Sequence, residues 1–356
     1  MLLVACAAAI VMMKPNPFVG WGLETLDQIR KSYLLPGGKL FADSIENGEK
    51  SGPAFNWGVG VMLGAMNGAA RYRPDWKPRL RDYVEATRVY WNTKGPVPGY
   101  DVLPGPKDVD RYYDDNQWMV LALVEASEIL KEPKFLGYAQ ETLKYVLSGE
   151  DKKLGGGIYW HETKKTEKNT CSNAPAAAAC LAVWSHTKDP ALLAKAKELY
   201  DWTKKHLQDP ADGLFWDGIN VNGHIGKDKW SYNTALMIRT AMGLWGATGE
   251  QKYLDEAQGM TKASEARWFD EATGAMKDEG RFAHLLLEAW AMVPSSTARP
   301  KIFRVLQALH LSGPDSAGRY GKRFDGPPTA GQTKFELIDQ ASAVRAYFVG
   351  GLLEST

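Results

Sequence analysis

The chain has 356 residues, of which 44% are hydrophobic and 24% are charged, and its formal net charge is +1. This composition is typical of a globular protein and excludes disordered, collagen-like and polytopic membrane proteins. Because 43 basic residues are balanced by 42 acidic ones, charge gives no reason to expect nucleic acid as a partner. The 13 Trp and 15 Tyr are a large aromatic content, which fills a large core or lines a carbohydrate site.

The chain begins with an uncharged apolar run, residues 1–13, which ends at Lys14 and Pro15. Such a run is too short to span a bilayer, but it fits the apolar region of a signal peptide. Leu3-Val4-Ala5-Cys6 also resembles a bacterial lipobox, although no basic segment precedes it. We therefore predict export, as a secreted, periplasmic or lipid-anchored protein, with residues 1–14 as the leader. The alternative is a cytoplasmic protein whose apolar first segment docks on the fold.

Helical periodicity dominates the rest of the chain, and two kinds of segment alternate. One kind is apolar on nearly every side: 57–70, 117–130, 174–184, 233–247, 282–292 and 337–349. The other kind is amphipathic: 76–91, 134–147, 190–206, 251–266 and 299–310. A helix that is apolar on every side is buried on every side, whereas an amphipathic helix covers a core. The pattern therefore predicts inner and outer helices.

The spacing of the inner segments is nearly regular. Their starts, at Trp57, Asp115, Asn173, Ser231, Arg281 and Glu336, are separated by 58, 58, 58, 50 and 55 residues. A repeated interval predicts stacked helical pairs, and residues 17–34 supply the sixth outer helix. We therefore predict an all-α fold, a closed (α/α)6 barrel that forms a single domain over residues 15–356. An open solenoid is the alternative, but it needs polar capping repeats, which the sequence lacks.

In a closed ring of this kind the inner helices all begin at one mouth. The polar residues expected there are Asn56, Asp114 with Asp115 and Asn116, Ser172 with Asn173, Tyr232 with Asn233, Arg281, and Glu336 with Asp339. An alternative interpretation is structural, because Asn, Asp and Ser are favoured helix N-caps.

The pair Asp114-Asp115 is harder to explain as capping, because one helix start needs one cap. Tyr112, Tyr113 and Trp118 place aromatic surface around both carboxylates, which tends to separate their pKa values. One ionised and one protonated carboxyl are what glycosidic bond cleavage requires. Neighbouring helical positions predict Cβ atoms about 5–6 Å apart, which suits retaining enzymes better than inverting ones.

The sequence predicts no metal or organic cofactor. An EF-hand loop starting at Asp108 would require glycine where Tyr113 stands. None of the three cysteines has zinc-ligand spacing, and Cys171 and Cys180 would lie about 13 Å apart on a helix, too far for a disulfide.

Four segments resemble motifs of glycoside hydrolase family 76, the endo-α-1,6-mannanases. They are Tyr112-Tyr113-Asp114-Asp115-Asn116-Gln117-Trp118, Gly155-Gly156-Gly157-Ile158-Tyr159-Trp160, Lys168-Asn169-Thr170-Cys171-Ser172-Asn173-Ala174-Pro175 and Trp230-Ser231-Tyr232-Asn233. The resemblance covers roughly residues 15–350. Cys171 and Ser231 depart from the commoner residues, and the last repeat matches poorly around residues 326–331.

The resemblance implies an (α/α)6 barrel that hydrolyses α-1,6-linked mannan with retention. It makes Asp114 the nucleophile and Asp115 the general acid/base. It implies sugar subsites formed by Trp160, Trp230, Tyr232, Asn173 and Asn233. We add Asn56, Tyr113, Trp118 and Arg281 to the predicted substrate-binding residues, and we expect a monomer with α-mannan as its partner.

Four alternatives remain open at this point. A mannan transglycosidase would use the same two acids. An epimerase needs two histidines facing one cavity, and only His284 lies on a predicted inner helix; an unsaturated uronyl hydrolase needs a basic mouth, for which Arg281 is the obvious donor. A non-catalytic mannan-binding protein would gain nothing from two adjacent carboxylates.

Overall fold

Inner and outer helices alternate along the chain in the computed structural model, which describes residues 16–105, 109–294 and 297–354. Within these residues the helices are α1 Pro17–Tyr33, α2 Asn56–Tyr72, α3 Trp76–Thr87, α4 Tyr113–Leu130, α5 Pro133–Leu147, α6 Thr170–Thr187, α7 Pro190–Leu207, α8 Ser231–Thr248, α9 Gln251–Trp268, α10 Gly280–Met292, α11 Ala298–Ser312 and α12 Leu337–Glu354. Each of the predicted segments overlaps one of these helices. The even-numbered helices are the inner ones.

The inner helices form a closed ring. Each packs against the next, and α12 packs against α2, while α1 covers α12 as predicted. The inner helices run in the same direction: Gln117 near the start of α4 donates to the Ser172 carbonyl near the start of α6, at 2.6 Å. Halfway along, Arg345 of α12 donates to the Gly64 carbonyl of α2 at 2.9 Å. The (α/α)6 barrel is therefore confirmed, and the end at which the inner helices begin is its mouth.

Two outer helices begin with a side-chain cap from the preceding residue. Asn16 Oδ1 accepts the N–H groups of Phe18 and Val19 at the start of α1, and Asp189 caps α7. In α2, α4, α6, α8 and α10 the residue before the helix makes no side-chain cap within the described part of the chain. The residue before each of these five helices therefore does not cap it, although Asp114 accepts the N–H of Asp115 at the start of α4 and Asp278 accepts the N–H of Ser231 at the start of α8.

Short antiparallel strands surround the mouth. Sheet order β2-β1-β8 joins β2 Glu49–Lys50, β1 Ser44–Glu46 and β8 Lys334–Glu336; β3 Trp91–Asn92 pairs with β4 Gly99–Tyr100; and order β5-β6-β7 joins β5 Glu167–Asn169, β6 Gly218–Asn220 and β7 Ile225–Gly226. The β1–β8 pair, with Ser44 opposite Glu336, connects the segment after α1 to the segment before α12. The β1–β8 pair thus links the two ends of the chain at the point where the ring of helices closes.

Two further predictions concern the cysteines and the apolar leader. Cys171 and Cys180 are free, buried thiols, which confirms that they form no disulfide. The predicted leader, residues 1–14 with Cys6, lies outside the described residues, so export remains a prediction. Among the residues from Asn16 to Glu354 that the structure describes, no helix has the length and apolar character needed to cross a membrane.

Candidate active site

Asp114 and Asp115 lie in the first turn of α4, at the mouth of the ring. The backbone of Tyr112 is extended, with φ −111° and ψ 138°, and the helix begins at the next residue. Asp114 is partly exposed, whereas Asp115 is 9% exposed. Both carboxyls therefore sit at the inner edge of an open mouth rather than within the solvent-free core.

Asp114 is held by two hydrogen bonds. The indole Nε1 of Trp160 donates to Asp114 Oδ2 at 3.0 Å, and the backbone N–H of Asp115 donates to Asp114 Oδ1 at 3.0 Å. The Trp160 ring lies 4.9 Å from the ring of Tyr112, and the Trp160 carbonyl accepts the N–H of Tyr113 at 2.9 Å. These contacts fix one carboxylate in orientation and stabilise its ionised form.

Asp115 has the opposite environment. It accepts no hydrogen bond from any residue that the structure describes. Burial raises its pKa well above the usual value, and the charges of Asp114 and Asp110 raise it further. Burial also raises the pKa of Asp114, to about 6, but the hydrogen bonds from Trp160 and from the Asp115 N–H oppose that rise. The two environments therefore differ in direction: hydrogen bonds favour the ionised form of Asp114, whereas burial and neighbouring charges favour the protonated form of Asp115.

The loop that carries Trp160 begins with a glycine turn. Gly155, Gly156 and Gly157 have φ values of 74°, 122° and 82°, which residues with a Cβ rarely adopt. This turn explains the run of three glycines in the motif that precedes Trp160. After the turn, the backbone N–H and carbonyl of Ile158 are hydrogen-bonded to the side-chain amide of Asn173.

Buried amides on three inner helices anchor the loops around the mouth. Each accepts the N–H and donates to the carbonyl of one loop residue, and also donates to the carbonyl four residues earlier. The pairs are Asn116 with Tyr100, Asn173 with Ile158, and Gln340 with Tyr320. Asn173 thus positions the loop that carries Trp160, and its amide is saturated by the backbone.

Three predicted site residues besides Trp160 line the mouth. Trp230, directly before α8, is 37% exposed. Tyr232 stacks on Phe282 at 4.5 Å, and burial, with the nearby charges of Asp217 and Asp114, raises its pKa well above the usual value. Trp118 lies one turn deeper in α4 and lines a cavity of about 50 Å³ along the ring axis. Of these, Tyr232 lies close enough to Asp114 for that carboxylate to affect its pKa.

Three other predicted residues are buried. Tyr113 is 2% exposed and stacks on Tyr145 of the outer helix α5 at 5.0 Å. Asn233 is buried and donates to Asp217 at 3.4 Å. Asn56 is also buried, and neither of its amide atoms has a partner among the described residues. Tyr113 therefore packs α4 against α5, and the structure does not bring it to the acid pair.

Arg281 does not make the mouth basic. Its guanidinium donates to Asp339 at 2.8 Å, pairs with Glu336 and lies 3.5 Å from Glu279. Three carboxylates therefore neutralise the donor that an unsaturated uronyl substrate would require. His284 is 2% exposed, contacts the Gly280 carbonyl, and has a pKa lowered to about 4 by burial. This environment agrees with a core histidine rather than an epimerase base.

Sequence reasoning missed Asp217, which precedes β6 and carries a pKa raised by burial. Its carboxylate accepts from Asn233 and, at 3.5 Å, from Asn169. A repeat in the sequence could have found it. In three of the loops that precede inner helices, a hydrophobic residue forms a single β-bridge and an aspartate follows two positions later. The three pairs are Phe41 and Asp43, Phe215 and Asp217, and Met276 and Asp278.

A cavity of about 420 Å³ opens at the opposite end of the ring. Its carboxylates, Glu125 and Glu288, accept hydrogen bonds from Arg345 at 3.2 and 2.7 Å. Burial raises the pKa of Glu288, but the hydrogen bond from Arg345 and the charges of Arg345, His284 and Arg239 together outweigh it and lower that pKa below the usual value. The environment of Glu288 therefore favours its ionised form, unlike that of Asp115 at the mouth. Among the described residues, no group of three or more His, Cys, Asp or Glu could hold a metal ion.

Comparisons with known proteins identify the family of this chain. A sequence model of glycosyl hydrolase family 76 matches residues 42–307. The structure is similar to that of a GH76 alpha-mannanase of Bacteroides thetaiotaomicron, with 30% identity, a TM-score of 0.89, and coverage of 95% of this chain and 96% of that one. It is also similar to an inactive alpha-1,6-mannanase variant of Salegentibacter sp., with two consecutive aspartates changed to asparagine and alpha-1,6-mannotriose bound; identity is 24%, the TM-score 0.80, and coverage 94% and 99%.

A curated relative, a mannan endo-1,6-alpha-mannosidase of Candida glabrata, is 23% identical over 180 residues. That match covers 46% of this chain and 40% of the relative, so the chain matches less than half of that relative's length. The family match covers most of the chain. The chain therefore belongs to glycosyl hydrolase family 76.

Proposed function

We propose that this family 76 protein hydrolyses α-1,6-mannosidic linkages of mannan with retention of configuration, with Asp114 as nucleophile and Asp115 as general acid/base. The proposal rests on the different environments of the two carboxyl groups. Asp114 is oriented by two hydrogen bonds to its carboxylate, whereas Asp115 accepts none from the described residues, and burial raises the pKa of Asp115 well above the usual value. A retaining glycosidase needs this combination of an ionised and a protonated carboxyl.

The substrate class is supported by what the chain resembles. The Bacteroides relative is described as an alpha-mannanase, and the Candida relative as a mannan endo-1,6-alpha-mannosidase. The exposed rings of Trp160 and Trp230 suit a neutral sugar, whose apolar face packs on aromatic surface. The neutralised Arg281 argues against an acidic sugar.

In the first step Asp114 attacks the anomeric carbon while Asp115 gives its proton to the glycosidic oxygen, which leaves as a sugar hydroxyl. The bond formed is an ester between the sugar and Asp114. Forming that ester removes the negative charge that raises the pKa of Asp115, so the pKa of Asp115 falls after the first step. Asp115 can then take a proton from water, whose oxygen displaces Asp114 and restores both acids.

The test uses the chain and the variants Asp114→Asn and Asp115→Asn on an α-1,6-linked mannan backbone, with release of reducing ends as the readout. Each variant is expected to lose activity by about a thousandfold or more and to keep its far-UV circular dichroism spectrum. Glu128→Gln is the matched control, because Glu128 is a carboxylate at the opposite end of the ring that pairs with His186 at 2.8 Å. Unchanged activity in either Asp variant would overturn the assignment.

Product analysis with an excess of mannose acceptor separates hydrolysis from transglycosylation. We expect free reducing ends to dominate. Longer chains in place of free reducing ends would indicate the transglycosidase instead.

A further inference from the structure

The loop that carries Trp160 is bonded to the segment that leads into α4. Tyr112, the last residue before the helix, lies opposite His161 in a single antiparallel β-bridge. Next to that bridge, the backbone N–H of Glu162 donates to the Arg111 carbonyl at 3.1 Å. The two segments therefore form a short ribbon that leads to the acid pair, and Arg111 and Glu162 stand opposite each other on it.

The side chains of Arg111 and Glu162 form an ion pair across this ribbon. Arg111 Nε donates to Glu162 Oε2 at 2.6 Å, and Arg111 Nη2 donates to Glu162 Oε1 at 2.9 Å. Arg111 is 0% exposed, and its guanidinium also donates to the carbonyls of Asn92 and Lys94, at 3.3 and 3.1 Å. Two parallel bonds between a planar guanidinium and a carboxylate fix the angle as well as the distance. Glu162 therefore ties its loop to a cation that the backbone already holds.

Glu162 follows Trp160 by two residues, and the Trp160 indole donates to Asp114 Oδ2 at 3.0 Å. A loop displacement of about 1 Å would break that bond. We propose that Glu162, bound to Arg111, is a positioning residue for the reaction, because it keeps the Trp160 indole in place against the nucleophile. The inference rests on the proposed function and deepens it.

Positioning and direct charge act on Asp114 with opposite signs. Glu162→Gln removes a negative charge, and the loss of a negative charge nearby lowers the pKa of a carboxyl. Loss of the hydrogen bond from Trp160 raises the pKa of Asp114, because that bond stabilises its ionised form. A rise therefore reports that Trp160 has moved.

Other titratable groups also face Asp114. Asp115 lies on the same helix, Tyr112 on the segment before it, Cys171 at the start of α6 and Tyr232 at the start of α8. Burial raises the pKa values of Tyr112, Cys171 and Tyr232 above their usual values, so these three groups are uncharged in acid. None of the four residues is changed in the variants of the test.

The test is the pH dependence of kcat/KM on α-1,6-linked mannan, and its readout is the acidic limb, where activity falls as Asp114 takes up a proton. Glu162→Gln is expected to move the limb to higher pH, at most as far as Trp160→Phe does, about half to one unit. The double variant is expected to move it no further than Trp160→Phe alone, because the donor that Glu162 positions is then already absent.

Glu162→Asp keeps the test usable if Glu162→Gln does not fold. It leaves a negative charge beside Arg111, so no buried cation loses its partner, but its shorter side chain cannot keep both bonds with the loop in place. We expect a smaller shift in the same direction. Glu265→Gln is the control, because Glu265 is a 6% exposed carboxylate that pairs with Lys301 at 2.9 Å between the outer helices α9 and α11. It should lower Tm and leave the limb in place.

The outcomes separate the two proposals. If the unmodified chain does not cleave mannan, or if Asp114→Asn stays active, the proposed function fails and the positioning role falls with it. If the chain is active, Asp114→Asn is inactive and the Glu162 variants lower Tm without moving the limb, Glu162 only stabilises the fold and the inference is wrong. A shift to lower pH, or additive shifts in the double variant, would also overturn it.

Discussion

The hydrogen bond from Trp160 to Asp114 gives the sharpest test of how the acid pair is tuned. Trp160→Phe removes the indole N–H, which donates at 3.0 Å to Asp114 Oδ2, and keeps an aromatic ring at the position. Without that donor the ionised form of Asp114 is less stable, so its pKa rises from about 6. The acidic limb of the kcat/KM profile should therefore move to higher pH.

The magnitude follows from the bond and its exposure. A hydrogen bond to a charged group contributes about 1.5–3 kcal/mol, and solvent at this open site reduces that contribution to about 0.7–1.4 kcal/mol. Since 1.36 kcal/mol corresponds to about one pKa unit, the limb should move by about half to one unit. At a pH one unit below the limb, this is an additional loss of about three- to tenfold.

The assay is the pH dependence of kcat/KM, which reports the pKa values of the free enzyme. Trp230→Phe is the matched control, because Trp160 and Trp230 are both 37% exposed and Trp230 makes no hydrogen bond to Asp114. The control should leave the acidic limb in place. A limb that does not move in Trp160→Phe, or that moves equally in both variants, would refute the reasoning.

Three further predictions concern stability and the other end of the ring. Because folding raises the pKa of Asp115, its carboxyl costs stability as the pH rises from the ordinary Asp value towards the raised one, so Asp115→Asn should raise Tm at pH 7 and have less effect at pH 4. Asn173→Asp replaces an amide that donates to two carbonyls and should cost about 2–4 kcal/mol in chemical denaturation, while the exposed Asn222→Asp should cost little. Glu125→Gln weakens the contact with Arg345 and should lower Tm while leaving kcat/KM within about twofold.

The ring could be predicted because its signal is repeated. Inner helices that are apolar on every side recur at similar intervals, and the last two intervals, 50 and 55 residues, still place α10 and α12 correctly. The strands at the mouth are two or three residues long, which is too short for a periodic pattern. Their positions depend on tertiary contacts between loops.

The acid pair and two of its tryptophans could be located from motifs, but the role of their neighbours could not. Successive side chains on a helix diverge by about 100°, so four consecutive residues of α4 face different surroundings. Tyr113 faces the outer helix, Asp114 and Asp115 face the mouth, and Asn116 anchors the loop at Tyr100. Residues that are adjacent in a sequence motif can therefore have different roles, because the helix directs their side chains to different surroundings.

The polar residues at the inner helix starts illustrate a second limit. Local propensity predicts that Asn and Ser cap helices, yet Asn173 bonds a loop that lies outside its helix. Asp217 was missed for a related reason, since it stands in a loop and meets Asn233 through the fold. Both contacts join segments that the sequence does not place together.

Chemical rescue by azide tests the central claim most directly, because it assigns a role to each acid. With an aryl α-mannoside that carries a good leaving group, Asp114→Ala plus azide should give the β-mannosyl azide, since azide attacks from the face that the carboxylate vacates. Asp115→Ala plus azide should give the α-mannosyl azide, since azide then displaces Asp114 from the ester. The anomeric proton in the NMR spectrum distinguishes the two products. The same anomer from both variants, or the reverse assignment, would contradict the account.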